Sequence, residues 1–238
     1  MRAIEKSIFA PANHLLAALS SSELGRLASH LRRVKLKENQ ILFDVEEEVH
    51  QVHFVESGIV ALISITDEGD SIGTGIIGFE GIVGIPSAMR FHRAPFRAQV
   101  QTPGEAFTLD GQTLRQEFKK DGSLQEVILC FTHTLVAHFA HSIACNHFHT
   151  VDKRLALWLL MTRDRLQGNT FQLTHKFLSD MLGTSRSDVT RAAGELQKAG
   201  VINYKRGNIT ILKDDELENA ACACYRVMRE EIEMFLEE

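Results

Sequence analysis

The sequence lacks the features of an exported or membrane-spanning protein. None of its 238 residues lie in a run that approaches the ~18 consecutive apolar residues of a transmembrane helix. The first residues, MRAIEKSIFAPANHLLAAL, contain no sustained apolar core and no persuasive cleavage site, so no secretory signal peptide is predicted. We therefore expect a cytoplasmic protein without a membrane partner. Cysteines stay reduced in that compartment, and the sequence contains four of them: Cys130, Cys145, Cys222 and Cys224.

The sequence patterns of common catalytic and metal sites are also missing. There is no nucleophile–base–acid set, no paired carboxylate motif and no Walker phosphate loop, which makes an enzyme the weakest functional class. No CxxC or HExxH motif is present. Residues 73–78, GTGIIG, match the dinucleotide-binding pattern, but β-type residues continue after them and no ribose-binding acid follows. We interpret these glycines as turn residues of a β domain.

The most informative stretch of the chain is residues 173–213. Thr174 is placed to cap a short helix with an apolar face, and Gly183 stands where that helix would end. Ser185 is placed to cap a second helix. The apolar stripe of that second helix consists of Val189, Ala192, Ala193 and Leu196. Two short helices joined by a glycine turn indicate a helix-turn-helix.

The outer face of the second helix carries the chemistry that reads DNA. Its candidate DNA-binding residues are Arg186, Ser187, Thr190 and Arg191, together with Thr174 and Ser185 at the two helix starts. Arginine pairs bidentately with guanine, serine and threonine bond bases or phosphates, and a helix N-terminus attracts phosphate. Two β-type runs then flank Lys205 and Arg206, which predicts a hairpin with a basic tip that contacts the DNA backbone.

The charge distribution agrees with this interpretation. Residues 151–213 contain 11 lysines and arginines against 5 acidic residues, whereas the rest of the chain contains 15 against 26. A basic segment inside an acidic chain is typical of nucleic-acid binding. The alternative is a small helical subdomain with ordinary surface arginines.

The N-terminal half of the sequence predicts a β domain. Residues 20–31 read as a short helix with a capping box formed by Ser20 and Glu23. From Val34 to about residue 109, short β-type runs alternate with turn signals, which indicates a sandwich or barrel of roughly 80 residues. With the helical second half, the predicted fold class is α+β.

A long helix is predicted from residue 124, because no proline or glycine occurs before Gly168. A second helix is predicted over residues 152–166, with a hinge between the two at residues 146–150. Apolar residues near heptad spacing form a candidate dimerisation seam: Leu124, Ile128, Phe131, Leu135 and His138. The alternative is that the same stripe packs against the β domain of its own chain.

The β-rich domain, the long helix and the helix-turn-helix together resemble the Crp/Fnr family of bacterial transcription regulators over nearly the whole chain. The best local matches are VESGIV at residues 55–60 and residues 173–213. The resemblance implies a cyclic-nucleotide-binding-like β-roll (a double-stranded β-helix) in residues 1–122, a dimerisation helix and hinge in 123–149, and a winged helix-turn-helix in 150–238. It also implies a homodimer that binds palindromic double-stranded promoter DNA and acts with RNA polymerase.

Within that resemblance, Arg186, Ser187 and Arg191 fall where family members contact bases. Ser187 replaces a glutamate that is often found there, so the recognised half-site need not be the common one. The family resemblance also identifies the regulated part as the N-terminal sensor domain.

The resemblance further implies a nucleotide pocket, but its key residues differ here. Residues 84–86 read Gly-Ile-Pro where nucleotide-binding members have Gly-Glu-Leu. With Ala98 aligned on the second motif, Phe96 stands where the phosphate-binding arginine belongs and Arg97 comes one residue late. A one-residue slip on a strand points a side chain to the opposite face. We therefore expect no tight binding of cyclic AMP, and the effector is not identified; residues 78–84 resemble a subgroup that lacks the nucleotide-binding residues.

Histidines and cysteines leave a second functional hypothesis open, that of a metal, haem or redox sensor acting through protein interaction. Histidines cluster along the long helix at positions 133, 138, 141, 147 and 149. Cys145 and His149 lie four residues apart, and Cys222 and Cys224 are separated by one residue. We favour solvated or interface histidines and buried thiols, because a helical CxC would point its sulphurs apart and the N-terminal cysteine cluster of iron–sulphur family members is absent. No metal or cofactor is therefore expected.

Overall fold

Six of the nine described strands lie in the first half of the chain, and helices make up most of the second half. The computed structural model describes residues 10–89 and 93–237. Its strands are β1 Arg32–Leu36, β2 Ile41–Phe43, β3 Gln51–Ile65, β4 Ser71–Ile77, β5 Ile82–Val83, β6 Arg97–Asp110, β7 Thr170–Gln172, β8 Ile202–Lys205 and β9 Asn208–Ile211. Its helices are α1 His14–Ala17, α2 Ser21–Ala28, α3 Gly111–Phe118, α4 Ser123–Phe148, α5 Val151–Leu166, α6 His175–Leu182, α7 Arg186–Lys198, α8 Asp214–Ala220 and α9 Cys224–Glu237.

The N-terminal β domain is built around the long antiparallel pair β3 and β6. The sheet runs in the order β1-β6-β3-β4, with β2 added to β6 and β5 added to β3. The pairing of β3 with β6 shifts register near Val55, Ser57 and Ile59. Such bulges bend a strand and increase its twist, so one strand can serve both layers of a roll. The α+β prediction is confirmed, with an antiparallel β domain, a long helix and a helix-turn-helix.

The predicted capping box caps two helices. Ser20 accepts a hydrogen bond from the Glu23 amide and donates its hydroxyl to the Glu23 carboxylate. That carboxylate also accepts from the Ser123 hydroxyl and the Leu124 amide at the start of α4. The hydroxyls of Ser123 and Ser20 lower the pKa of Glu23 to about 2. Glu23 thus supplies the N-terminal cap that Gly122, without a side chain, cannot give to α4.

Helix α4 lies against the β domain with one face and against α9 with another. Ser142 donates to the carbonyl of Thr74 in β4 at 2.9 Å, and the His138 ring lies 3.1 Å from the carbonyl of Met228 in α9. Of the helices that the structure describes, α4 is the one long and apolar enough to cross a membrane by length and composition. A single such helix is weak evidence, because long core helices pass the same test.

The predicted dimerisation seam of α4 requires correction. Leu135 is half-buried. The other four residues are buried in the interior of the same chain: Leu124, Ile128, Phe131 and His138. The Phe131 ring lies directly over Gly81, leaving no room for a side chain there, and packs 5.7 Å from the ring of Phe235 in α9. The alternative interpretation, packing on the chain's own β domain, describes these residues.

The C-terminal helices share a hydrophobic core with the outer face of β3 and β4. Trp158 of α5 lies so close to Gly73 of β4 that a Cβ there would stand 2.8 Å from the indole. A buried ion pair joins Arg165 of α5 to Glu80 at 2.8 Å. The GTGIIG glycines therefore do not all make turns as expected: Gly73 and Gly75 lie inside a strand, where the first gives room for Trp158.

Candidate DNA-binding surface

The first helix of the helix-turn-helix is α6, and its two ends are fixed locally. The Phe177 amide donates to the Thr174 hydroxyl at 3.1 Å, which caps the helix start. Gly183 follows the last turn with a φ of 54°, a left-handed conformation that favours glycine. The buried face of α6 includes Leu178 and Met181. Thr174 itself is exposed, as a phosphate contact requires.

The second helix, α7, begins at a polar cap. The Asp188 amide donates to the Ser185 hydroxyl at 3.1 Å, and the hydroxyls of Ser185 and Thr184 donate back to the Asp188 carboxylate at 2.6 and 3.2 Å. These bonds hold the pKa of Asp188 below its ordinary value, and the bond from Ser185 contributes most. The apolar stripe packs inward as the spacing predicts: Val189, Ala192, Ala193 and Leu196 are buried.

The outer edge of α7 is exposed and cationic. Arg186, Ser187, Thr190 and Arg191 all lie at the surface. Arg191 is held by acidic neighbours, at 3.3 Å from Asp152 and 3.4 Å from Glu195. Among the described residues Arg186 has no ion-pair partner, so its guanidinium is available to an incoming ligand. We call the exposed residues 185–191 of α7 and its cap the recognition edge.

A β-hairpin stands beside the recognition edge. Strands β8 and β9 pair from Lys205 with Asn208 to Ile202 with Ile211, and β7 adds a third strand. Arg206 and Gly207 turn the chain with φ values of 52° and 84°, the left-handed pair of a two-residue hairpin turn. Lys205 and Arg206 are exposed at the tip, which we call the wing.

Two residues that the sequence did not single out connect these parts. The ring of His175 in α6 lies 3.0 Å from the Thr190 hydroxyl and 4.6 Å, centroid to centroid, from the Tyr204 ring in β8. Burial lowers the pKa of His175. Gln197 of α7 accepts a bond from the Tyr204 amide at 2.7 Å. Both contacts cross between elements, so no local pattern could have identified them.

A cavity beside residues 84–86, where the resemblance implies a nucleotide pocket, is apolar. It measures about 230 Å³ and lies between the β domain and α4, with Ile82, Phe96, Leu135 and Phe139 among its walls. Its described lining contains no charged side chain. Arg97 points elsewhere, to an ion pair with Asp44 at 2.7 Å.

A cluster of sulphur and nitrogen atoms forms at the end of α4. Its members are Cys145, His149, Cys222 and Cys224, and their candidate ligand atoms all lie within 4.8 Å of one another. We call it the Cys3His cluster. Cys222 precedes α9 and Cys224 begins it, so the expectation of a helical CxC with diverging sulphurs was wrong. This group could hold a metal ion, and the expected absence of a metal is not confirmed.

Two protein families match separate parts of the chain. Residues 33–121 match the cyclic nucleotide-binding domain, and residues 153–220 match the Crp-like helix-turn-helix domain. The two matches cover the β domain and the helix-turn-helix, and the recognition edge and the wing lie inside the second.

Curated relatives and solved structures span nearly the whole chain. The fumarate and nitrate reduction regulatory protein of Vibrio cholerae is 23% identical over 217 residues, covering 85% of this chain and 84% of the relative. The regulatory protein HlyX of Actinobacillus pleuropneumoniae is 26% identical over 215 residues, covering 84% and 86%. FixK2 from Bradyrhizobium japonicum superposes with a TM-score of 0.70 at 16% identity over 81% of this chain and 98% of its own. A crp/fnr-family regulator from Eubacterium rectale gives 0.68 at 20% identity over 85% and 94%.

Proposed function

Because the chain belongs to the Crp/Fnr family of DNA-binding transcription regulators, we propose that it binds promoter DNA as a homodimer through the recognition edge. The observation that carries this proposal is the exposed Arg186 at the capped start of α7, which has no ion-pair partner in the described part of the chain. The names of its relatives are those of regulatory proteins and not of enzymes. The β domain is the sensor part of the molecule.

The residues of the recognition edge, the helix starts and the wing have separate roles in DNA binding. Arg186 reads a guanine bidentately in the major groove, while Ser187 and Arg191 contact neighbouring bases or phosphates. Thr174, Ser185 and Thr190 lie at or near helix starts, where hydroxyls and amide groups bond phosphate oxygens. Lys205 and Arg206 on the wing contact the backbone without reading sequence.

Dimerisation uses a different stripe of α4 from the one that the sequence predicted. Leu129, Val136 and Ile143 are seven residues apart and are 52%, 61% and 71% exposed. Each is followed four residues later by another exposed residue of the same heptad row: His133, Ala140 and His147. A large apolar side chain at every seventh position is the pattern that pairs two helices. We name this row the α4 stripe.

The proposed dimer sets the arrangement of the DNA site. Two-fold symmetry about the α4 stripe would present two recognition edges to half-sites about 34 Å apart, one turn of DNA, in a palindrome. Such a regulator acts in the cytoplasm and has RNA polymerase as a partner at its promoters.

The sensor cavity is proposed not to bind cyclic AMP tightly. Its walls are apolar, Arg97 is engaged by Asp44, and the glutamate of nucleotide-binding members is replaced by Ile85. A buried phosphate without its cation loses charge-assisted bonds of about 1.5–3 kcal/mol each. Calorimetry should give no saturable heat with cyclic AMP, and micromolar binding would overturn this part of the proposal.

The decisive experiment for DNA binding is to sequence the genomic fragments that the purified protein retains. The fragments should share an inverted repeat with half-sites one helical turn apart. Gel shifts on that repeat should give discrete bands that weaken as salt rises. Retention without a common sequence, or no retention, would contradict the proposed function.

A further inference from the structure

The Cys3His cluster brings together two segments that lie far apart in the sequence. Cys145 and His149 stand on the last turn and the cap of α4, and Cys222 and Cys224 stand in the bend that leads into α9. The sulphurs of Cys145 and Cys222, 77 residues apart in the chain, are separated by 3.4 Å. The Cys224 sulphur lies 3.7 Å from Nδ1 of His149.

The separations of 3.4 and 3.7 Å are close to the edge lengths of a ligand tetrahedron around one metal ion. Zinc binds sulphur at about 2.3 Å and nitrogen at about 2.0 Å, which places tetrahedral ligand atoms roughly 3.5–3.8 Å apart. All four candidate ligand atoms lie within 4.8 Å of one another, so one ion could be reached by all of them with small side-chain adjustments. An iron–sulphur cluster would instead spread its cysteine ligands around a larger inorganic core. From this arrangement we propose that the Cys3His cluster binds one zinc ion.

The local backbone supports the convergence. The His149 amide donates to the Cys145 carbonyl at 3.1 Å, so one helical turn places both side chains on the same side of α4. The Tyr225 amide donates to the Cys222 carbonyl at 3.0 Å, which forms the tight turn that carries both sulphurs of the CxC. Packing of thiols as small apolar groups would not require that an imidazole nitrogen join them.

Burial and donor chemistry indicate a structural site for a soft ion. The three cysteines are buried and His149 is half-buried, so the cluster is largely shielded from solvent. Four protein donors close the coordination sphere, as in structural zinc sites and unlike catalytic sites, which keep one open position. Thiolate and imidazole donors also select against magnesium and calcium, which prefer oxygen.

The site lies outside both regions that match known families. Cys145 and His149 fall between the matched ranges 33–121 and 153–220, and Cys222 and Cys224 follow the second range. A zinc ion there would tie α9 to the end of α4, next to residues 149–150, the part of the predicted hinge that lies between α4 and α5 in the structure. Because α5 supports the helix-turn-helix, metal occupancy would fix the orientation of the recognition edge relative to α4. This consequence rests on the proposed function.

The metal site is tested without DNA. Full-length protein purified with a reductant should contain about one zinc per chain by elemental analysis. Cobalt added to chelator-treated protein should give the thiolate-to-metal absorption and strong d–d bands of a tetrahedral sulphur site. Less than one tenth of an equivalent of zinc together with no cobalt spectrum would overturn the proposal, as would a Cys145–Cys222 disulfide in protein kept reduced.

Variants then assign the ligands. Cys222→Ser and Cys224→Ser should each lose at least about tenfold in zinc affinity, whereas Cys130→Ser, at a cysteine of α4 outside the cluster, should retain zinc. Cys224→His keeps a donor at the position and should restore binding, which separates loss of a ligand from failure to fold. Equal zinc content in all four variants would contradict the assignment.

The hinge consequence has its own readout. The affinity of the zinc-loaded and zinc-free protein for its retained DNA should differ by about tenfold or more, with zinc content measured on the same samples. Equal affinities would overturn the coupling to DNA binding, whereas zinc-loaded protein that binds no DNA at all would count against the proposed function instead.

Discussion

Helices α7 and α4 differ in how sharply their faces are separated by polarity. On α7, small apolar residues point inward, and arginine, serine and threonine side chains point outward. On α4, the 26 residues include one charged side chain, Glu126, and apolar residues occur all round the helix. A helix that is apolar all round has more than one stripe that could face a partner.

As a consequence, two apolar stripes of α4 lie in different environments. One stripe, including Ile128 and Phe131, is buried against the β domain and α9, while the α4 stripe of Leu129, Val136 and Ile143 is left to solvent. The two stripes are one residue out of phase. On α7 the inner and outer faces have different chemistry, so each face can do only one task.

The prediction with the largest expected effect concerns the buried stripe of α4. Phe131→Ala removes a ring that is 1% exposed, next to Gly81 and Phe235. The free energy of unfolding should fall by about 3–5 kcal/mol, because the lost transfer energy adds to that of the cavity. Urea or thermal denaturation followed by circular dichroism measures it.

The matched control is a phenylalanine of the same helix. Phe148 is 76% exposed, so Phe148→Ala should change the free energy of unfolding by no more than about 0.5 kcal/mol. Similar losses for the two variants would mean that the burial contrast between the two positions is absent in solution.

This contrast also explains which parts of the fold the sequence could predict. The α7 stripe, the caps at Thr174 and Ser185 and the hairpin turn at Arg206 are local, and each was placed correctly from neighbouring residues. The buried face of α4 was not, because heptad spacing fits both of its apolar stripes and only the position of the β domain decides which of them is buried.

The sequence did not predict the Cys3His cluster, and the reason is different. Its two halves are brought together by the path of the chain through α5 to α8, which no spacing rule describes. The sequence did show Cys145 with His149 and Cys222 with Cys224 as pairs. The missing step was that Cys222 lies in a bend before α9, where two alternate residues can direct their sulphurs to one point.

The second prediction tests the outer stripe of α4. Val136→Glu places a charge at the centre of the α4 stripe and should weaken dimerisation by roughly 100-fold, about 2.7 kcal/mol, because a charge would be buried at the seam. Sedimentation should then report the 26.7 kDa chain at concentrations where the wild type has twice that mass.

Its control introduces the same charge at another exposed apolar position. Leu212, which follows β9 and is 56% exposed, lies outside the α4 stripe, so Leu212→Glu should leave the dimer intact. If the dimer persists in Val136→Glu, the chain dimerises through a surface other than the α4 stripe.

The third prediction concerns the recognition edge. Arg186→Ala should weaken binding to the specific site by about 1–3 kcal/mol and relax the preference at one base pair, because one bidentate base contact is lost. Competition gel shifts with single-base variants of the site measure both. Binding to unrelated DNA should change far less, and an equal loss on all sequences would make Arg186 a backbone contact.

The smallest effect separates the wing from the recognition edge. Lys205 is exposed beside Arg206 at the hairpin tip, and we propose that it contacts phosphates and not bases. Lys205→Ala should weaken binding to specific and unrelated DNA alike and reduce the slope of log affinity against log salt by about 1, the release of one counterion. Lys37→Ala, an exposed lysine in the β domain between β1 and β2, should leave the slope unchanged. If Lys205→Ala changed base preference while the slope stayed the same, the wing would be reading sequence, and the separation of roles between wing and α7 would fail.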